Sequence, residues 1–393
     1  MVKRKDLKEN YTPNYFLAAL GAGGLSVSFF IYLNFLIPHP NTAMITADIL
    51  FSMVAKADFI SGLILIAFIG ILFFAYKHID LLIWNIKEYQ KFKKTKAFEA
   101  LKNSNAEVSL MAIPLTYAMS INVMFVLGAS FVPGLWSIIE VMLPLALFAF
   151  LAVGIYGLKI YSEYFTRVLV KGNFCCEANN NFSQLIAIFA FSMIAVGFAA
   201  PGSMSHNMLV SGFGIFSAIF FGIISISLTI VKIILALRDI FERGIDRETS
   251  VSLWIMIPIL TLLGITFIRV TFGFAHNFLG FDAPSNWLLF LITSSIVSLQ
   301  LIFGYIGYKV MKKMDYFQEF INGDTKSPVS FAIICPGVAT FVFGVFFLVM
   351  GLVFNGIVAM YSPAFFLLLA LLAFVQAITI KVFFKLEKKL IKA

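Results

Sequence analysis

SFAIICPGVAT, residues 330–340, is an apolar run entered through a serine and interrupted six positions later by Pro336. Four other stretches share its build: NYFLAALGAGGL (14–25), SLMAIPLTYAM (109–119), SQLIAIFAFSM (183–193) and SLWIMIPILTL (252–262). Each opens on a polar step and leads to a second, more regular apolar segment. Four of the five carry a helix-weakening Pro or Gly a few residues in, at Gly21, Gly23 and Gly24, Pro114, Pro258 and Pro336; in the 183–193 stretch Phe189 takes that place. A repeated helical hairpin whose first helix is broken is the pattern of a membrane pathway.

Composition excludes a soluble globule, because 61% hydrophobic residues with 12% charged in 393 residues leave too little polar surface. A bilayer core of about 30 Å needs roughly 20 apolar residues per helix. Ten spans are expected, near 15–37, 59–77, 109–131, 134–158, 182–204, 207–231, 251–275, 287–309, 329–355 and 363–384. The fold class is therefore an all-α polytopic membrane protein. Its ten transmembrane helices form five hairpins (about 15–77, 109–158, 182–231, 251–309 and 329–384) in one domain, 15–385, between tails at 1–14 and 386–393.

All but two of the 29 Lys and Arg residues fall in the N-terminal tail, after even-numbered spans or in the C-terminal tail, Lys56 and Arg269 being the exceptions. By the positive-inside rule both termini are cytoplasmic. The net charge of +9 is then a matter of topology and of membrane lipids, not of nucleic acid. The basic N-terminus precedes a full-length span without a small-residue cleavage site, so the first helix is expected to be retained. The matches to a glycosylation acceptor at Asn10 and Asn181 fall on the cytoplasmic side and are read as chance. The link from His78 to Glu107 has apolar residues at helical spacing, and is either an amphipathic stretch along the membrane surface or a continuation of the second helix.

Three cysteines, Cys175, Cys176 and Cys335, make no disulfide framework, and four scattered histidines make no zinc motif, so no metal and no cofactor is expected. The phosphate-cradling loops and catalytic sets of enzymes are missing as well, which argues against catalysis and against an ATP-driven pump.

Proline removes a backbone donor, and clustered glycines remove packing, so such positions need protein or water around them and not lipid. Proline and glycine are commoner in membrane helices than in soluble ones, but their recurrence in register places Gly21, Gly23, Gly24, Pro114, Pro258 and Pro336 around a central pathway. The even spans then form the lipid-facing ring. Two ionisable residues lie inside spans, Glu140 and Arg269. Arg269 either draws anions into an external vestibule or pairs with Glu140. Thr116, Tyr117, Ser120 and Ser330 are candidate pathway hydroxyls.

Ten spans in five hairpins with broken inner helices, and local motifs such as Ser330-Phe331-Ala332-Ile333-Ile334-Cys335-Pro336, resemble the superfamily of the TehA tellurite-resistance protein, the C4-dicarboxylate and sulfite exporters and the plant slow-type anion channel. The resemblance covers Tyr15 to Lys385. It implies a homotrimer with one pore per subunit, gated by a phenylalanine beside the proline of the ninth helix. Cys335 stands at that position here, a departure that passes the gating role to Phe331, Phe341, Phe343 or Phe189, or gives the thiol a packing, chemical or gating role of its own.

The leading expectation is a channel or channel-like transporter of small anions. One alternative is a secondary transporter of a chalcogen oxyanion or C4-dicarboxylate, and another is a redox-responsive sensor using Cys335 or the Cys175 and Cys176 pair. Richness in Lys, Ile and Phe suggests a low-GC bacterial source and its cytoplasmic membrane.

Overall fold

The structure, a computed structural model, describes residues 3–172, 174–175 and 179–392. It is 83% helical, and among the described residues there is no strand. Ten helices among them are long and apolar enough to cross a membrane: α1 Pro13–Leu36, α2 Phe59–Phe92, α3 Asn105–Phe131, α4 Leu135–Lys171, α5 Ser183–Met204, α6 Met208–Arg243, α7 Glu248–Leu279, α8 Asn286–Lys313, α9 Pro328–Val353 and α10 Pro363–Leu390. They fall on the ten expected segments. The charged link after the second span is a continuation of α2, which runs unbroken to Phe92. One face of that continuation is covered by the N-terminal tail: Tyr11 donates its hydroxyl to Asn85 Oδ1 at 2.9 Å, the Leu7 amide donates to Glu88 at 2.8 Å, and Trp84 Nε1 donates to the Arg4 carbonyl at 2.7 Å.

The prolines act differently from an interior break. Each odd helix opens with a tight 3-10 stretch and then relaxes into α-helix: Pro13–Tyr15, Asn105–Met111, Ser183–Leu185, Glu248–Ile255 and Pro328–Ile333 lead into α-helices starting at Phe16, Ala112, Ile186, Met256 and Ile334. Pro114, Pro258 and Pro336 are each the third residue of the α-helical part. A proline there has no N–H to offer the carbonyl four residues back, and its ring crowds that carbonyl. For these three the carbonyls belong to Leu110, Trp254 and Ala332, all within the 3-10 stretch. The α register therefore cannot extend backwards past the proline, and the chain tightens instead. Prolines inside the α-helical parts occur elsewhere, at Pro144 in α4 and Pro201 in α5.

Odd and even helices have different surroundings. The buried share of the most apolar stretch is 83, 61, 94, 83 and 72% in α1, α3, α5, α7 and α9, against 44, 33, 22, 17 and 17% in α2, α4, α6, α8 and α10. Every odd helix packs on its even successor, and the five odd helices also touch in sequence, α1 on α3, α3 on α5, α5 on α7, α7 on α9 and α9 back on α1. The ring closes through glycines of α1. A Cβ built on Gly21 would lie 2.8 Å from Ile334 Cγ2, and one on Gly24 would lie 3.2 Å from Val338 Cγ1. Small residues at such seams let helix backbones approach without the drive of water exclusion.

The odd helices are tied together where they begin. Gln184 Nε2 donates to the Asn105 carbonyl at 3.0 Å, the Phe182 amide donates to Ser252 Oγ at 2.9 Å, and Ser327 Oγ donates to Glu248 at 2.6 Å. Thr116 Oγ1 donates to the Phe16 carbonyl at 3.3 Å. The chain ends meet at this same end of the bundle, where the Arg4 amide donates to the Ile391 carbonyl at 2.8 Å and Lys77 pairs with Glu387 at 2.7 Å.

Candidate functional site

The ring encloses a cavity of about 1230 Å³ that reaches the surface where the odd helices finish. Its mouth is framed by residues 38–44, 282–284 and Tyr361. On each odd helix the lining residue nearest the start is Leu20, Met119, Phe189, Pro258 or Cys335, which together make the floor. From Cys335 to Val349, another lining residue, the wall rises about 20 Å at 1.5 Å per residue. Nearer the start of the odd helices than the floor, Phe16 and Phe331 are fully buried, and Ile113, Leu185 and Met256 nearly so, and none of them lines the cavity.

The walls are mostly apolar. Arg269 is the one Lys or Arg among the described residues that line the cavity, and it is half-buried on α7. Its Nη1 donates to the Val196 carbonyl of α5 at 3.0 Å, and among the described residues no carboxylate forms an ion pair with it. Glu140, the alternative partner, is engaged elsewhere: it accepts from Ser205 Oγ at 2.6 Å and from the His206 amide at 2.7 Å. Thr261 and Asn122 also line the wall. Thr261 donates to the Ile257 carbonyl and accepts from Gln300 at 2.6 Å, while Asn122 Nδ2 points at Met193 Sδ.

Three of the four histidines stand at the mouth. His39, His206 and His276 line it, with the rings of His206 and His276 5.6 Å apart and His276 Nε2 2.6 Å from the Ser203 carbonyl. The Tyr361 phenol donates to the Leu36 carbonyl at 2.8 Å, and burial raises its pKa. Asp282 is the acidic residue of the rim.

Of the residues singled out in the sequence, the cavity brings together Gly21, Gly24, Phe189, Pro258, Cys335 and Arg269. The others are placed elsewhere, for identifiable reasons. Phe341 is fully buried away from the cavity, its ring 5.0 Å from that of Tyr32, which in turn donates to Gln376 of α10. Phe331 is packed beneath the floor, and Phe343 presses on Gly264 of α7. Gly23 faces Met119 and His78, and Pro114 faces Gly157 of α4. The Pro336 carbonyl accepts from Thr340 inside α9.

The four candidate hydroxyls serve helix packing. Thr116 donates to the Ala112 carbonyl at 2.7 Å, Ser120 Oγ lies 2.8 Å from His78 Nε2, Tyr117 stacks on Tyr156, and Ser330 accepts from Tyr316 at 3.2 Å. A hydroxyl on a membrane helix satisfies itself on the nearest carbonyl unless a cavity is alongside. His78, read in the sequence as lying beyond the second span, is buried in α2 and bridges to α1 through Nδ1 and the Ala19 carbonyl at 2.7 Å. Asn122 and Thr261 were legible as lone polar residues within apolar runs. Cys175 is exposed and 70 residues in sequence from its hydrogen-bonded partner Asn105; Cys176 lies outside the described residues. No protein-family model, no curated protein and no solved structure matches the chain.

Proposed function

We propose that this membrane protein is an anion pathway, with one pore per subunit running through the ring of odd helices. The reading takes the five hairpins as repeats, both termini as cytoplasmic and the cavity mouth as external, in a homotrimer akin to the TehA-like superfamily. One observation carries it. Among the described residues Arg269 is a cation without a carboxylate partner, and it faces a cavity that five inner helices enclose. A charge inside a membrane domain is costly and is kept where an opposite charge visits it.

The floor beneath the cavity favours a second reading, a secondary transporter caught open to one side. The cavity's lining stops at that floor, and the residues nearer the helix starts, Phe16 and Phe331 among them, are buried. Among the described residues the walls hold no carboxylate below the rim, so the channel-like reading with a closed gate is placed first. Flux of chloride, nitrate and acetate into proteoliposomes tests both. Arg269→Gln is expected to lower anion flux about tenfold, the effect of roughly 1.4 kcal/mol. Equal flux through a folded R269Q protein removes Arg269 from the pathway. Slow flux that saturates supports the transporter.

A further inference from the structure

The wall below Arg269 has a character that a small inorganic ion does not use. From Pro258 to Arg269 the α7 wall rises about 16 Å at 1.5 Å per residue. Along that depth the opposing side chains are apolar, among them Phe189, Met193, Val338 and Val342. The polar groups there are already used: Thr261 is held between the Ile257 carbonyl and Gln300, and Asn122 rests against the Met193 sulfur. Among the described residues no second Lys or Arg lines the cavity.

We propose that the anion is an organic monocarboxylate with an apolar body, its carboxylate on Arg269 and its chain or ring lowered toward Phe189 and Cys335. The inference rests on the anion-pathway reading and narrows it. The volume, about 1230 Å³, is somewhat above the about 300–1,000 Å³ common for organic-ligand pockets and so has room for an organic body. A halide or nitrate at Arg269 leaves the apolar depth filled with water. A dicarboxylate places its second charge among Phe and Val side chains without a partner, which costs more than its burial returns. A monocarboxylate satisfies both parts of the site. The guanidinium has donors to spare after its single bond to Val196, and a carboxylate accepts two of them in parallel.

The test is calorimetric binding to the full chain in phosphatidylcholine nanodiscs at fixed ionic strength, with acetate, butyrate, phenylacetate, succinate and chloride as probes and phenylacetamide as the neutral counterpart of phenylacetate. Affinity is expected to rise with the apolar body, by up to about fourfold per methylene, with succinate weaker than butyrate. R269Q should weaken phenylacetate at least about tenfold while phenylacetamide changes much less, a difference that mere loss of folding does not produce. Leu262→Trp fills the wall about 10 Å below Arg269, toward Pro258, where the apolar body would lie, and should weaken phenylacetate more than acetate. This second variant keeps the test open if R269Q does not fold. Affinity independent of the apolar body, or succinate binding as tightly as butyrate, overturns the proposal. If chloride, nitrate and acetate still cross proteoliposomes in an Arg269-dependent manner, the pathway reading survives that failure. If no anion binds or crosses, both fall.

Discussion

The two ends of the ring are built from the same five helices, yet one is sealed and the other holds a cavity. At the closed end, polar atoms are turned sideways into neighbouring odd helices, as in Phe182 to Ser252, Gln184 to Asn105 and Ser327 to Glu248, and large side chains such as Phe16, which packs on Tyr89 of α2, and Phe331 are fully buried. At the open end, the closest approach lies on the outside of the wall. Gly202 of α5, Gly214 of α6 and Gly273 of α7 meet backbone to backbone there, and polar side chains face loops or the cavity. Both ends are apolar overall. What separates them is the direction in which the few polar atoms and the smallest residues point.

The brace at the open end is the place to break this arrangement with the largest effect. A Cβ on Gly273 would lie 2.6 Å from the Gly202 carbonyl oxygen, a backbone atom that cannot swing away. Gly273→Ala is therefore expected to cost roughly 3 kcal/mol, seen as lost monodisperse yield and a lowered melting temperature in detergent. Gly222→Ala on α6, where a Cβ meets nothing within 4 Å, should stay within about 0.5 kcal/mol of the parent. Similar behaviour of the two variants would mean that the glycine contact does not hold the wall.

The floor separates the two ends, and Phe189 is its aromatic member. Phe189→Ala should extend the cavity toward the closed end and raise anion flux at least about tenfold, as a barrier lowered by about 1.4 kcal/mol does. Phe341→Ala removes a ring of the same size from the α1, α9 and α10 seam, so it should lower stability by about 3 kcal/mol or more without raising flux. Proteoliposome flux beside thermal melting distinguishes them. A rise in flux with F341A, or none with F189A, would relocate the gate.

The helices and their alternation were open to reading from the chain because they depend on long apolar runs and on Pro and Gly in register, which are local properties. The same prolines misled on detail. Their recurrence pointed to breaks within the inner helices, whereas each sits in the first α-helical turn, where the missing N–H costs least and only the preceding residues must tighten. Arg269, Cys335 and Phe189 could be singled out as a lone charge, a lone thiol and a lone exception to the proline pattern. The hydroxyls could not be sorted, because Thr116 and Thr261 look alike in sequence, and only the rotation of their helices decides that one faces α1 and the other the cavity. His78 was hidden by the charges that follow it. They resemble a helix end, but α2 continues through them, with His78 buried against Ala19 of α1 and Ser120 of α3.

The serines that open the repeated segments bear on the closed end. Ser252 accepts from the Phe182 amide across the start of α5 and α7, and both residues are nearly inaccessible. Ser252→Ala leaves that N–H without an acceptor where water does not reach, at a cost of about 1–3 kcal/mol. Ser252→Thr keeps the hydroxyl and should lose less. The expected signature is a lowered melting temperature together with faster hydrogen exchange at Phe182, while flux changes far less than with Phe189→Ala, because the packed side chains below the floor remain. Unchanged exchange at Phe182 would show that packing alone seals this end. The polar step that marks each odd segment would then report where the chain leaves the membrane surface, and not what keeps the ring shut.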